Sequence, residues 1–211
     1  MTAEHDVDLL VQQAFFAEPV RGVLVEVGAA RPDYLSIGAS FRARGWKVIS
    51  IEPNPDFCAA HRLLGHNVLE YAASDEEADD ASFCVVHLKG ANYLNGTVSF
   101  ESFSSLGIKG KFAALYETMK SMSDVKTIPV KVRKLDTILA THEPDLQTID
   151  VLAIDVEGWE LNVMRGLSVN RYQPKVVILE NFFDEAGHVS FMSERGYKRW
   201  RRLEPNDVYI R

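Results

Sequence analysis

The chain has 211 residues, 46% hydrophobic and 25% charged, with 23 Lys and Arg against 30 Asp and Glu for a formal net charge of −7. A chain of this size favours a single domain and buries about 70% of the surface its unfolded form exposes, which excludes a disordered, collagen-like or disulfide-dependent chain. The acidic balance argues against nucleic acid or a membrane as partner, because both demand excess cationic surface.

Taken in chain order, Val7, Leu10, Val11, Ala14 and Phe15 recur at helical spacing and predict an amphipathic helix within residues 1–20. The opening MTAEHDVDLL has acids and no long apolar run, so neither a signal peptide nor a membrane span is expected, and a cytoplasmic location is. VLVEV, Val23–Val27, reads as a strand ending at Gly28, followed by a helix over 34–44 with Gly45 as its left-handed stop. KVISI, Lys47–Ile51, is the second strand; after two prolines a helix begins near Asp56 and ends at Gly65, and a third strand covers 68–71.

The rhythm then lapses. Asp75, Glu76, Glu77, Asp79 and Asp80 form an acidic run expected to be a solvated loop, and FCVVHL and IPVKVR read as strands within an inserted segment, 82–134, expected to cap a substrate. Beyond it come a strand at 149–155, a helix at 159–165, a strand at 175–180 and a helix at 184–195. Two short strands, near 197–203 and 207–210, are joined by Glu204-Pro205-Asn206, a link so short that only an antiparallel pair fits. Strands that are apolar throughout, alternating with helices, predict an α/β, Rossmann-like fold. Its sheet is mostly parallel, with helices on both faces and a C-terminal antiparallel hairpin.

In such a sheet ligands bind beyond the carboxyl ends of the strands. Those ends carry Glu26, Gly28 and Ala29; Glu52 and Pro53; Ala73 and Ser74; Asp155 and Glu157; and Glu180 and Asn181. Glu52 lies 24 residues after Gly28, where an acid accepts hydrogen bonds from ribose hydroxyls of a nucleoside cofactor. The loop G-A-A-R-P-D has no G-x-G-x-x-G pattern and Pro32 lacks an N–H, which disfavours the pyrophosphate of NAD. Cys58 and Cys84 have no metal spacing and read as free thiols in a reducing compartment. Among the six histidines no metal spacing occurs: His61 and His66 read as surface residues and His87 as a core one.

EVGAARPDYLS, IEPNP, LDTIL and IDVLAIDVEGWELNVMRG together resemble the FkbM-type S-adenosylmethionine-dependent methyltransferases, over about residues 23–211. The resemblance implies the class I methyltransferase fold, a seven-stranded sheet whose last strand inserts antiparallel, and O-methylation of hydroxyls on sugars, polyketides and related metabolites. It implies that Glu26, Gly28 and Ala29 hold the methionine part of S-adenosylmethionine, that Glu52 beside Pro53 is the ribose acid, and that Ala73 and Ser74 line the adenine. Asp155 and Glu157 then fall on the family's D-x-E-G, beside the transferable methyl. The family's D-x-G-A-N-x-G is altered here at Glu26, Ala30 and Pro32, and a common Lys is Ala153.

An alkyl hydroxyl needs a base as it attacks in line, and Asp155 and Glu157 are the candidates. The main reading includes no metal; the alternative is Mg²⁺ held by Asp155, Glu157, Glu180 and Asn181. Glu180, Asn181, Trp159 and Tyr93 are the candidate acceptor contacts, with Phe182 and Phe183 as further aromatics that read equally as core or rim. Arg31 could pair a ligand carboxylate or face solvent, and Lys198, Arg199, Arg201 and Arg202 read as a solvated basic patch. The expected partner is a small or carbohydrate-like acceptor. The competing functions are an NAD-dependent oxidoreductase and a catalytically degenerate binding module.

Overall fold

Alternate residues of each central strand feed two separate cores. Val177 and Leu179 of β9 (Val176–Glu180) pack on one side with Leu135, Ile138, Val163, Met164 and Met192, while Val176 and Ile178 pack on the other with Val7, Val11 and Phe41. This two-sided burial is why the strand sequences run apolar without alternation. The computed structural model describes residues 3–17, 19–93, 96–100, 104–119 and 123–211, of which 88–93, 96–100, 119 and 123 are described by backbone alone.

The other strands of this sheet are β1 (Val23–Val27), β2 (Lys47–Ile51), β3 (Asn67–Leu69), β8 (Val151–Ile154), β10 (Lys198–Leu203) and β11 (Asn206–Ile210). Their order across the sheet is β10-β11-β9-β8-β1-β2-β3. β9, β8, β1, β2 and β3 are parallel, and β11 inserts antiparallel between β9 and β10. The seven-stranded α/β fold with its terminal hairpin is therefore as expected.

One face is covered by α1 (Val7–Phe15) and α2 (Ile37–Ala43), whose Val7, Val11 and Phe41 are completely buried. The other is covered by α5 (Leu135–His142), α6 (Glu160–Arg165), α7 (Val169–Tyr172) and α8 (Ala186–Glu194). α2 starts three residues later than expected, because Leu35 sits at φ 49°, a left-handed turn that no helix continues through. α3 (Pro55–Leu63) starts where the double proline indicates: Pro55 occupies its first turn and the Asn54 side chain accepts from Asp56 N at 3.0 Å.

The third strand is short, and the chain then leaves for a second sheet. β4 (Ala72–Ser74), β5 (Ala78–Tyr93), β6 (Gly96–Phe100) and β7 (Ser123–Lys134) form it in the order β4-β7-β5-β6. It has its own small core of Ala72, Phe83, Val85, Val130 and Val132, and α4 (Lys111–Met119) lies within its connections. The acidic run is not simply a solvated loop. Asp79 and Asp80 are already in β5; Asp79 pairs with Arg133, Glu77 accepts from Thr137 at 2.6 Å, and Asp75 accepts from Asn162 at 2.9 Å. Likewise Arg199 and Arg202 of the basic patch converge on the fully buried Asp207 at 3.4 and 3.2 Å. No helix among the described residues is long and apolar enough to cross a membrane.

Candidate active site

A cavity of about 330 Å³ opens beyond the carboxyl ends of β1, β2, β8 and β9, a volume in the range of small-molecule sites. Its floor is the loop after β1. Gly28 lies at φ +79°, and a Cβ there would sit 1.7 Å from the Asp155 carbonyl oxygen, so only glycine lets the ends of β1 and β8 come this close. The loop is then tied to β2: Gly28 N and Ala29 N both donate to Ile51 O, and Ala30, at φ 45°, donates its N–H to Glu52 Oε2 at 2.8 Å. Glu52 Oε1 accepts from Asn54 N at 2.8 Å. The carboxylate is thus held by backbone at both oxygens while lining the cavity.

Glu26 also lines the cavity, but its oxygens point into a network. It accepts from Gly38 N at 2.8 Å, Ser50 Oγ at 3.3 Å and Arg42 at 3.5 Å. Burial raises its proton affinity, and Arg42 and these donors oppose that rise. Its visible work is to anchor the start of α2. Ser36, just ahead of that helix, lines the cavity with a buried Oγ that has no hydrogen-bond partner among the described residues.

The opposite wall holds three carboxylates. β8 ends at Ile154, and Glu157 turns at φ 57°, so Asp155 and Glu157 do not share a strand face. The turn nevertheless swings Glu157 back: Asp155, Glu157 and Glu180 each offer an oxygen within 4.8 Å of the others. Desolvation by the surrounding walls, with repulsion from Glu4 and Glu160, pushes the Asp155 carboxyl up to about 8, against a hydrogen bond from Glu180 that lowers it. Burial, then Asp155, Glu157, Glu160 and Glu4, raise Glu180 well above the usual carboxylate range. Glu160 secures the loop, accepting from Val156 N at 3.2 Å and Gly158 N at 2.8 Å.

The roof comes from the inserted segment. Phe83, Ser104, Ser105 and Leu106 line the cavity, and the stretch after them is latched down. Trp159 Nε1 donates to Gly107 O at 2.9 Å, Lys109 Nζ stands 3.4 Å above the Trp159 ring and donates to Asn162 at 3.0 Å, and Phe112 packs on Phe182 and Phe183. Burial lowers the proton affinity of Lys109, with Glu160 and Asp75 opposing it.

Of the residues singled out from sequence, Glu26, Gly28, Ala29, Glu52, Pro53, Ala73, Asp155, Glu157, Trp159, Phe182 and Glu180 meet around one cavity, with Arg31 at its rim. Ser74 does not. It follows Ala73 in β4, successive strand residues face opposite ways, and its buried hydroxyl turns to Asp75 at 3.1 Å. Asn181 is also buried away from it, bonded to Asp207 and to Glu185 N, where it shapes the turn before α8. The Tyr93 side chain lies outside the described residues, and Phe183 packs behind Phe182. Arg31 pairs with Asp33 at 3.0 Å. Cys58 is buried and Cys84 half-buried, both as free thiols.

Several residues in or behind the cavity wall gave no recognisable signal. His61, expected on the surface, is completely buried, with Nε2 3.1 Å from Ala30 O beneath the first loop. Glu4, Tyr34, Ser36 and Asn206 also reach the cavity. Glu160 was legible in principle, as an acid in the first turn of a helix after D-V-E-G-W. A profile described as a methyltransferase FkbM domain matches residues 26–199. No curated protein matches the chain.

Proposed function

The chain belongs to the FkbM methyltransferase family, and from that membership we propose that it transfers a methyl group from S-adenosylmethionine to a hydroxyl of a small or carbohydrate-like acceptor. The observation that carries the reading is the convergence of Glu52, at the end of β2, with Asp155, Glu157 and Glu180 on one cavity at the strand ends. The residues fit the cofactor: carboxylates accept from ribose hydroxyls and favour a sulfonium cation, and the buried Ser36 hydroxyl has no hydrogen-bond partner among the described residues. Glu52 would hold the ribose, Gly28 and Ala29 would floor the methionine part, and Pro53 and Ala73 would border the base. When bound there, S-adenosylmethionine supplies an electrophilic methyl on sulfur.

The chain's own part is positioning and proton removal. Asp155 and Glu157 stand where an acceptor hydroxyl would lose its proton, and a carboxyl with raised proton affinity suits that task near neutral pH. Trp159 and Phe182 provide flat apolar walls for the acceptor, and the strap from Ser104 to Phe112 excludes water. Residues 82–134 thus serve as the acceptor cap, in a single domain that works in the cytoplasm without nucleic acid or membrane.

Calorimetric titration with S-adenosylhomocysteine and with NAD tests this. Saturable binding of the former is expected, and Glu52→Gln should weaken it by about 10- to 100-fold, the worth of a charged hydrogen bond. Binding of NAD alone would overturn the reading in favour of an oxidoreductase, and binding of neither would favour a degenerate module.

A further inference from the structure

We propose that Asp155, Glu157, Glu180 and Asn206 form a binding site for a hard divalent cation, Mg²⁺, Mn²⁺ or Ca²⁺, in the wall of the acceptor pocket. The three carboxylates offer oxygens that all lie within 4.8 Å of one another. Oxygens on opposite sides of such a cation, at 2.0–2.6 Å each, are about 4–5 Å apart, so one ion can reach all three. Carboxylates alone would not make a site. Asn206 supplies the independent observation. It lies directly opposite Glu180 in the β9–β11 ladder, lines the same cavity, is 4% exposed, and its Oδ1 has no hydrogen-bond partner among the described residues.

An orphaned amide oxygen in a buried wall costs stability unless something binds it, and amide and carboxylate oxygens together are the donor set of a hard cation. The charge census agrees. The groups acting on Asp155 and Glu180 are Glu4, Glu26, Glu157 and Glu160, every one a carboxylate. Glu26 and Glu160 accept from the Gly38, Val156 and Gly158 backbone N–H groups; the ligand set is the trio that the 4.8 Å distances define, with Asn206. Asn181, the amide expected from sequence, is instead spent on Asp207 and Glu185.

The inference deepens the proposed function and rests on it in one respect: the cation's remaining positions would face the acceptor. They select acceptors that present two adjacent oxygens, such as a vicinal diol or a hydroxy-carbonyl group. Cation binding itself does not depend on that reading, so it is measured alone. Mn²⁺ titration followed by electron paramagnetic resonance should show one saturable site, displaced by Mg²⁺ or Ca²⁺ according to which cation it prefers. Glu180→Gln and Asn206→Ala should each weaken it by about tenfold or more, while Asp145→Asn, on an exposed loop, leaves it unchanged. Asn206→Asp, which keeps the size and adds an oxygen charge, should tighten it, and this arm stands even where Glu180→Gln fails to fold. The proposal is overturned by an absence of Mn²⁺ binding in protein that still binds S-adenosylhomocysteine, or by binding that survives both Glu180→Gln and Asn206→Ala.

Discussion

Replacing Gly28 by Ala should damage both the fold and the site, by an amount that can be divided into two causes. The first is backbone strain: at φ +79° an L-residue costs about 1–2 kcal/mol. The second is a collision. The added carbon would stand 1.7 Å from Asp155 O, 2.8 Å from its carbonyl carbon and 3.2 Å from Val156 Cγ1. Two of these are backbone atoms at the end of β8, which no rotamer change can move, so the overpacking costs about a further 1–3 kcal/mol. Taking about 3 kcal/mol in total, and 2–4 °C per kcal/mol for a domain this size, the midpoint of thermal unfolding should fall by roughly 6–12 °C. Gly65→Ala is the control. Gly65 has φ +70° but nothing within 4 Å of its added carbon, so strain alone remains, and the midpoint should fall by only about 2–4 °C per kcal/mol of that strain. Melting curves by circular dichroism, with a calorimetric titration of S-adenosylhomocysteine on the folded Gly28 variant, read out both effects. A Gly28→Ala protein that melts no lower than Gly65→Ala and binds with unchanged affinity would refute the close approach of β1 and β8.

The remaining predictions concern protonation, a buried charge and the strap. Asp155 keeps a proton up to about pH 8 in the folded protein but only up to about 3.8 when unfolded. The folded state therefore holds the extra proton between those values, and stability of the cofactor-free protein should fall as pH rises through that window. Asp155→Asn should flatten that profile, and a wild-type melting temperature that climbs from pH 5 to pH 8 in step with the variant's would count against it. Asp207 is fully buried and receives Arg199, Arg202, Asn181 and Tyr209; Asp207→Ala should cost about 3–5 kcal/mol in urea unfolding, and a loss under about 1 kcal/mol would contradict the network. Burial pushes the Cys58 thiol up to about 12, so a thiol reagent at pH 8 should modify Cys84 in the folded chain and reach Cys58 only after unfolding. Lys109→Ala removes the contacts to the Trp159 ring and to Asn162, so limited proteolysis should cut faster near residues 104–112; an unchanged cleavage rate would show that the latch does not depend on Lys109.

The main sheet was legible because its signals are local and repeated. VLVEV, KVISI and KVVILE are mostly apolar, since both their faces are covered, with Glu26, Ser50 and Glu180 the buried polar exceptions, and Gly45, Gly65 and the capping Asn54-Pro55 pair mark helix ends locally. The strand-end acids followed from topology, because a parallel sheet gathers its carboxyl ends at one edge. What composition could not give was direction. Ser74 and Asn181 sit at strand ends as truly as Ala73 and Glu180 do, yet one strand step of two-fold alternation turns Ser74 away, and Asn181 is claimed by the turn that precedes α8. The second sheet was legible only in part: FCVVHL and IPVKVR read as strands and fall in β5 and β7, but that they pair with each other was not readable. β5 pairs with β7 at positions such as Phe83 and Ile128, and pairing at so long a range leaves no mark along the chain to say which strand meets which.

The sequence by itself thus determined the family, the parallel sheet with its antiparallel close, and which strand ends carry acids. Those follow from hydrophobic pattern, glycine conformation and motif spacing, all properties of neighbours along the chain. Only the tertiary structure decided which acids meet. Glu157 leaves its strand in a left-handed turn and returns to Asp155, and Glu180 comes in from the adjacent strand. Asn206 arrives beside them through an antiparallel insertion, and His61 goes under the first loop instead of out to water. Each of those placements depends on atoms far apart in sequence sharing one small volume, and no spacing rule along the chain encodes it.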